Sequence, residues 1–243
     1  TDVTGTFWSA QDAEVNAREG GSYVWLPDQV KAAVRNEELA KLASVMYGLD
    51  QGINFRDPHH PDERANVLYL PRRLDELAKV RKQSLGSLLE AKSKIDQAML
   101  AVRDQREQPI TDDKVLVSWN GMMIDAYAYG YEILGKSEYL RSAHRAAEFI
   151  LNHLRGKDGT LMRTYRAGKS NYEAYQEDYA FLAQGLLAIH RATGEERYLQ
   201  LAKNVAEEMQ DRFWDPNEGG FYFTQDPDQL IVRIKSQMKE GQQ

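Results

Sequence analysis

The chain has no cysteine among its 243 residues, and it has only 7 prolines and 5 histidines. The lack of cysteine excludes disulfides, thiolate metal sites and a cysteine nucleophile. An excess of positive charge is also lacking, because 31 basic and 37 acidic side chains give a net charge of −6. No apolar run approaches the ~18 residues of a membrane-spanning helix, and no signal-peptide pattern opens the chain. We therefore expect a soluble protein, cytoplasmic by preference, that binds neither nucleic acid nor membrane.

The main pattern in the sequence is the helical periodicity of its apolar residues. Apolar residues recur at spacings of three and four in four segments: 119–134, 137–155, 175–193 and 196–213. Gly135 and Gly194 stand where a glycine commonly ends a helix. Upstream, the pattern predicts one helix over 27–47, ending at Gly48, and a second helical stretch over 72–106 that is broken near Ser84-Leu85-Gly86. The sequence therefore predicts an all-α fold.

The helices repeat. A shift of 59 residues places one set of residues on a matching set at the cap and on the core face: Gly135, Tyr139, Leu140, Ala143, Ala147 and Glu148 fall on Gly194, Tyr198, Leu199, Ala202, Ala206 and Glu207. Identities at one fixed offset indicate duplicated helical hairpins, which bury their outer faces by stacking. The connecting loops are long and aromatic, and such loops on one rim of a helical scaffold are typical of a binding surface.

A second internal repeat relates the two ends of the chain, because residues 5–12 are similar to residues 219–226. The later copy follows a hairpin, whereas the earlier one has no helix before it. We expect the chain to begin partway through a repeat unit, with 1–26 the end of a truncated hairpin. We expect 1–243 to form a single partial hairpin domain in which 49–71 and 107–117 are long connecting loops.

Several strings then resemble one known family. They are Gly5-Thr6-Phe7-Trp8-Ser9-Ala10-Gln11-Asp12-Ala13-Glu14, Gly21-Ser22-Tyr23-Val24-Trp25, Asp112-Asp113-Lys114-Val115-Leu116, Ser118-Trp119-Asn120-Gly121, Glu177-Asp178-Tyr179-Ala180-Phe181 and Leu230-Ile231-Val232-Arg233. The chain resembles the thioredoxin-domain-containing proteins that include spermatogenesis-associated protein 20. One departure is Leu26, which stands where family members usually have a threonine that can cap a helix.

The resemblance implies a thioredoxin-like domain followed by an (α/α)6 toroid of helical hairpins. Such rings are similar to six-hairpin glycosidases and to N-acylglucosamine 2-epimerases. The chain would then hold only part of the ring, a partial (α/α) toroid with short β-like loop segments on one rim. The thioredoxin-like domain would be absent from this chain and would be its possible partner. The enzyme class stays open between a glycoside hydrolase-like and a sugar epimerase-like activity.

The strongest candidate site lies at the starts of two repeated helices. Asp113, Glu177 and Asp178 are candidates for acid/base groups, because sugar chemistry commonly uses carboxyl groups. The predicted saccharide contacts around them are Trp8, Lys114, Trp119, Asn120 and Tyr179. The alternative for the acids is structural, because carboxylates near a first helical turn bind free N–H groups and favour the helix dipole.

Two further groups of candidates have structural alternatives. Asp12 either reaches the same saccharide site or forms a turn by binding nearby backbone N–H groups. Tyr165, between Arg163 and Arg166, either contacts an anionic or hydroxylated ligand together with these arginines or lies on a solvated hairpin tip. The adjacent His59 and His60 have no metal-ligand spacing, and we predict no metal and no cofactor. His144, His153 and His190 are predicted to be packing or surface residues.

Two functions follow as hypotheses. The first is a carbohydrate-active or carbohydrate-binding cleft for a saccharide ligand. The second is a non-catalytic scaffold that works with the absent thioredoxin-like domain.

Overall fold

The computed structural model describes residues 5–156, 159–225 and 232–236. Its helices are α1 Pro27–Val34, α2 Glu37–Met46, α3 Leu74–Val80, α4 Leu85–Arg103, α5 Val117–Leu134, α6 Ser137–His153, α7 Gln176–Thr193 and α8 Glu196–Phe213, with a 3₁₀ turn at Leu49–Gln51. Its strands are β1 Ala10–Gln11, β2 Glu14–Val15, β3 Arg18–Glu19, β4 Phe55–Arg56, β5 Arg64–Ala65, β6 Thr111–Asp112, β7 Val115–Leu116, β8 Met162–Arg166 and β9 Lys169–Glu173. The prediction of a mostly helical fold with short β segments is confirmed.

The chain forms two compact units. The small unit contains Gln11–Ile110, and the large unit contains Thr1–Ala10 and Thr111–Gln243. No helix in the described ranges is both long and apolar enough to cross a membrane. The prediction of one domain over the whole chain stays a prediction.

Two helical hairpins, α5–α6 and α7–α8, make up most of the large unit. Their first helices end at Gly135 and Gly194, which have φ values of 66° and 75° and donate their N–H groups to Tyr131 and His190. Glycine suits these positions because it adopts a left-handed conformation without steric cost. The predicted glycine caps are confirmed, and the predicted helix over 196–213 has the bounds of α8.

Helices α5 and α7 pack side by side at the offset of the repeat. Gln184 donates to Asp125, and Arg191 donates to Glu132, in both cases across a separation of 59 residues. Gly121 makes this close approach possible, because a Cβ there would lie 2.5 Å from the backbone of Phe181. The repeat seen in the sequence is therefore a packing repeat, in which equivalent positions are neighbours.

A three-stranded sheet, in the order β7-β8-β9, lies at the start of α5. Strand β8 is antiparallel to β7, with Val115 opposite Tyr165 and Leu116 opposite Thr164. Strand β9 returns along β8. Because β7 continues directly into α5, this register places the side chains of β8 beside the first turn of that helix.

The small unit departs from the sequence prediction at its first helix. The pattern predicts one helix over 27–47, whereas the structure has α1 and α2. Arg35 has a φ of 53°, and Asn36 accepts a hydrogen bond from the Leu39 N–H, so the first helix ends and the second is capped. Periodicity does not register such a break, because the apolar spacing continues across it. The predicted break near Ser84 is confirmed, since Ser84 caps α4.

Leu26 cannot cap α1 with its side chain, as the sequence predicts. The start of that helix is instead held by Gln29, whose Oε1 accepts the Leu26 N–H at 3.0 Å. This is the reciprocal half of a capping box, in which a side chain three residues into the helix reaches back. The core of the small unit is formed by Trp25, Val30, Leu42, Met46, Leu77, Leu88, Ile95 and Met99.

Candidate active site

The first turn of α5 obtains its cap from the neighbouring hairpin. The helix begins at Val117, two residues before the predicted start, and Leu116 at its N-cap position has no side-chain acceptor. Oδ1 of Asp178 accepts the Ser118 N–H at 3.0 Å. A carboxylate at the start of α7 therefore satisfies a free backbone donor of α5.

Asp178 also caps its own helix. Its Oδ2 accepts hydrogen bonds from the Tyr175 N–H at 2.9 Å and from Arg163 Nη1 at 2.8 Å. The carboxylate is completely buried. Burial raises the pKa of Asp178 above its ordinary value, and the backbone hydrogen bonds and the Arg163 charge oppose that rise. Asp178 thus connects two helix starts and one strand.

Arg163, on strand β8, lies between two carboxylates. Its Nη2 is 3.0 Å from Glu177 Oε1, and its guanidinium carbon is 4.4 Å from the centre of the Tyr175 ring. Burial alone lowers the pKa of Arg163, but the charges and hydrogen bonds of Asp178 and Glu177 outweigh burial and raise it. Glu177 keeps 30% of its side chain exposed, whereas Asp178 keeps none.

Asp113 is engaged by the same strand. Arg166 Nε lies 2.5 Å from Asp113 Oδ1, and both side chains are about half exposed. The structure thus places all three predicted acid/base residues next to arginines of β8. Sequence reasoning weighed Arg163 as part of a solvated hairpin tip. Its part-buried position between two carboxylates was missed, because the pairing depends on the register of β8 and not on local spacing.

Asn120 and Tyr179 have structural roles. Asn120 is completely buried, and its amide accepts the Phe7 N–H and donates to the carbonyls of Phe7 and Leu116. Tyr179 is also completely buried, and its ring packs against Phe213 at 5.5 Å between centroids. Neither side chain has exposed surface for a saccharide. Their roles as saccharide contacts stay predictions.

The remaining candidates of the large unit differ in exposure. Trp119 is 45% exposed and Trp8 is 46% exposed. The residues on either side of Trp8 hold it near the start of α5, because the Phe7 N–H bonds to Asn120 and the Ser9 N–H bonds to the Asp112 carbonyl.

Two other predicted contacts lie in the same region. Lys114 pairs with Asp112 at 3.1 Å. Tyr165 is partly buried, with its ring edge against Phe149. Both side chains thus have protein partners, and the two tryptophans have the larger exposed surfaces.

Asp12 belongs to the small unit. Its Oδ1 accepts the Glu14 N–H at 3.2 Å, which is the turn expected from the structural alternative. Asp226, which is its counterpart in the similar segment 219–226, lies outside the described residues.

The histidines occupy packing and capping positions. Nδ1 of His144 lies 2.7 Å from the Tyr198 hydroxyl, and His153 stacks on Phe149 at 4.3 Å between centroids. Nδ1 of His190 lies 3.1 Å from the Glu195 carbonyl. The prediction that these three are packing or surface residues is confirmed. Within the described part of the chain, no group of three histidines and carboxylates could hold a metal ion.

Comparison with known proteins matches this chain to a protein family. The model of the N-acylglucosamine 2-epimerase family matches residues 101–240. Spermatogenesis-associated protein 20 is 29% identical in human, over 249 residues and 90% of this chain, and 29% identical in mouse over 248 residues. The chain spans 31% of the length of these curated relatives.

The chain is also similar to parts of two solved structures. Cellobiose 2-epimerase from Spirochaeta thermophila has a TM-score of 0.43 and 18% identity, over 53% of this chain and 33% of that one. A D-mannose isomerase has a TM-score of 0.45 and 16% identity, over 66% of this chain and 46% of that one. Together with the family model, the repeated hairpins assign the fold to the (α/α) toroid class.

Proposed function

Because the chain belongs to the N-acylglucosamine 2-epimerase family, we propose that its large unit binds a saccharide at the starts of α5 and α7. The proposed surface, which we call the rim cluster, consists of Trp8, Asp113, Trp119, Arg163 and Glu177. The observation that carries the proposal is the Arg163–Glu177 pair, which stays partly exposed beside the first turns of two parallel helices.

The rim cluster offers the two kinds of contact that sugars need. The exposed ring of Trp119 provides an apolar face for the C–H surface of a pyranose. Arg163 donates hydrogen bonds and Glu177 accepts them, so together they can bind neighbouring hydroxyl groups. Tyr175 stacks on the guanidinium, and this contact fixes its plane.

Of the two carboxylates that bind Arg163, Glu177 is better placed to react than Asp178. Asp178 is completely buried and holds the helix starts in position, so we propose a positioning role for it. Glu177 keeps solvent-facing surface and can take a proton from a bound sugar. Epimerisation next to a carbonyl requires such a proton acceptor.

The test uses the full chain and three sugars: N-acetylglucosamine, cellobiose and mannose. Binding is measured by saturation-transfer NMR and calorimetry, and exchange of the C2 proton is followed in D₂O. We expect saturable binding of at least one sugar that Trp119→Ala reduces about tenfold or more. We expect Glu177→Gln to abolish C2 proton exchange while the chain keeps its helical circular dichroism.

Tyr129→Ala is the matched control. Tyr129 is an exposed aromatic on the same helix, ten residues and about 15 Å along the axis from Trp119. An equal loss of binding in both variants would exclude a specific rim cluster. Absence of binding by the folded wild-type chain to all three sugars would exclude the proposal.

One observation favours a second candidate, a non-catalytic scaffold. All three predicted acid/base residues are engaged by arginines, which compete with any proton transfer by their carboxylates. We propose that such a scaffold would work beside a thioredoxin-like domain, as the sequence resemblance implies. Sugar binding without C2 proton exchange, unchanged by Glu177→Gln, would support a binding scaffold over an epimerase.

A further inference from the structure

A second candidate site lies within the small unit. A cavity of about 390 Å³ opens there, with a lining that includes Val24, Leu26, Phe55, Arg64 and Arg106. This volume is within the range of small-molecule sites. The lining combines five apolar side chains with nine polar or charged ones, of which four are acids and three are arginines. The motif Gly21-Ser22-Tyr23-Val24-Trp25 borders this cavity and has no role in the rim cluster. It is one of the segments that carry the family resemblance.

That motif fixes the guanidinium of Arg106. Nη1 donates to the carbonyls of Ser22 at 3.0 Å and Val24 at 2.8 Å. The guanidinium carbon lies 3.9 Å from the centre of the Trp25 ring, which is a close cation–π contact. One nitrogen and one face of the guanidinium are therefore occupied, and the plane of the group is set before any ligand arrives.

The other edge of the Arg106 guanidinium, formed by Nε and Nη2, remains unoccupied. Across residues 5–156, 159–225 and 232–236, no carboxylate pairs with Arg106 and no acceptor bonds to these two nitrogens. Their N–H groups point in parallel and match the two oxygens of a carboxylate or a phosphate. An arginine held in this way has the geometry for bidentate recognition of an oxyanion.

Several of the acids around the cavity are engaged elsewhere. Glu63 forms a bidentate pair with Arg18, and Asp57 accepts three backbone N–H groups. Glu107 accepts from Asn16. None of these three carboxylates forms an ion pair with Arg106, and burial followed by the nearby Arg103 charge lowers its pKa. Arg64 lines the same cavity without a carboxylate partner among the described residues.

Glu19 supplies a complementary group. It lines the cavity, and its carboxylate forms no hydrogen bond or ion pair with another described side chain. A carboxylate and an arginine edge in one cavity favour a ligand that has hydroxyl groups as well as an oxyanion. A bare anion would meet the Glu19 charge without a hydrogen bond to offset it.

We propose that this cavity binds a small polyhydroxylated ligand with one oxyanion group, held by the Nε/Nη2 edge of Arg106. The oxyanion is a carboxylate, as in a sugar acid, or a phosphate, as in a sugar phosphate. Glu19 accepts a hydroxyl of the same ligand. The site lies within the small unit and does not depend on the function proposed for the rim cluster.

The experiment is calorimetric titration of the full chain with gluconate, glucose 6-phosphate and glucose. We expect saturable binding of gluconate, glucose 6-phosphate or both, and the two arms distinguish carboxylate from phosphate. Glucose, which lacks the oxyanion, should bind at least about tenfold more weakly. Arg106→Lys keeps the charge but removes the fork, and we expect a loss of about tenfold or more.

Two further variants keep the test decisive if changes at Arg106 unfold the small unit. Arg64→Glu reverses an exposed cavity charge and should weaken oxyanion binding several-fold with the fold intact. Arg81→Gln, which changes an arginine outside the cavity, is the matched control and should bind like the wild type. Absence of binding for both anions, equal binding of glucose, or unchanged binding in Arg64→Glu would overturn the proposal.

Discussion

The two compact units hold their arginines in different ways. In the large unit, both arginines of β8 pair with carboxylates, and one of these carboxylates is completely buried. In the small unit, Arg106 meets two carbonyls and an indole ring, and one edge of its guanidinium faces no described acceptor. In the large unit, the ion pairs connect the strand to the helix starts. In the small unit, the fold orients the Arg106 guanidinium and leaves one of its edges free for a ligand.

The same contrast extends to the helices. The large unit has four helices of 17 or 18 residues, packed through close backbone contacts. The small unit has shorter helices, apart from the 19-residue α4, with irregular connections between them. Substitutions at the packed helix contacts of the large unit should therefore change stability. Substitutions at the rim cluster or around the cavity of the small unit should change binding.

The largest effect is expected at Gly121. In Gly121→Ala the new Cβ meets the backbone of Phe181 at 2.5 Å, and a backbone cannot rotate away as a side chain can. We expect a loss of about 3 kcal/mol in the free energy of unfolding, measured by urea denaturation. Gly130→Ala is the control in the same helix, because its Cβ meets only the side chain of Tyr139 at 3.3 Å. A loss of similar size in the control would contradict the backbone contact as the cause.

The second-largest loss of stability is expected for Asp178→Ala. It leaves the N–H groups of Ser118 and Tyr175 without their acceptor and removes one partner of Arg163, which costs about 2 kcal/mol. Asp178→Asn should cost less, because it keeps an acceptor oxygen and removes a charge that burial disfavours. Thermal and urea denaturation compare the two variants. Equal losses would show that the charge, rather than the hydrogen bonds, holds the helix starts together.

Asp215 tests the pH dependence of a carboxylate that is 2% exposed. Its pair with Lys235 at 2.5 Å, with hydrogen bonds from Asn217 and Tyr222, lowers its pKa below the ordinary value. A folded-state pKa below the unfolded value stabilises the fold above about pH 4, and this contribution is lost as the pH falls further. Asp215→Asn should therefore destabilise the chain at pH 7, and the difference from wild type should shrink at pH 3. A difference that is constant with pH would contradict this assignment.

The smallest effect is expected at Asp113. Its pair with Arg166 is about half exposed, and such pairs contribute less than about 1 kcal/mol. Asp113→Asn should change the midpoint of denaturation slightly, and 1 M salt should remove the difference. A large loss that persists in salt would place Asp113 among the residues that organise the fold.

Much of the fold could be predicted from the sequence, because its helices have caps and periods that are local. Gly135, Gly194 and Ser84 mark helix ends by chemistry that acts within one turn. The break at Arg35 was missed, although Asn36 caps the second helix by the same local chemistry as Ser84. What the sequence does not show is the left-handed backbone of Arg35, a residue that has no special preference for it.

The candidate site was predictable in part. Asp113, Glu177 and Asp178 stand out in the sequence as acids near helix starts, but their partners come from β8. The register of that strand is set by pairing with β7, which no local pattern encodes. For the same reason, the sequence could not separate the exposed Trp119 from the buried Tyr179, which hold similar positions near their helix starts.

The cap that Asp178 provides for α5 has a consequence for folding during synthesis. The cap follows the N–H group it accepts by 60 residues, which is roughly 3–12 s of translation. Until those residues leave the ribosome, the first turn of α5 has one backbone donor that only water can satisfy. The first hairpin therefore completes its start only when the second arrives, and the two hairpins mature as a pair instead of one by one.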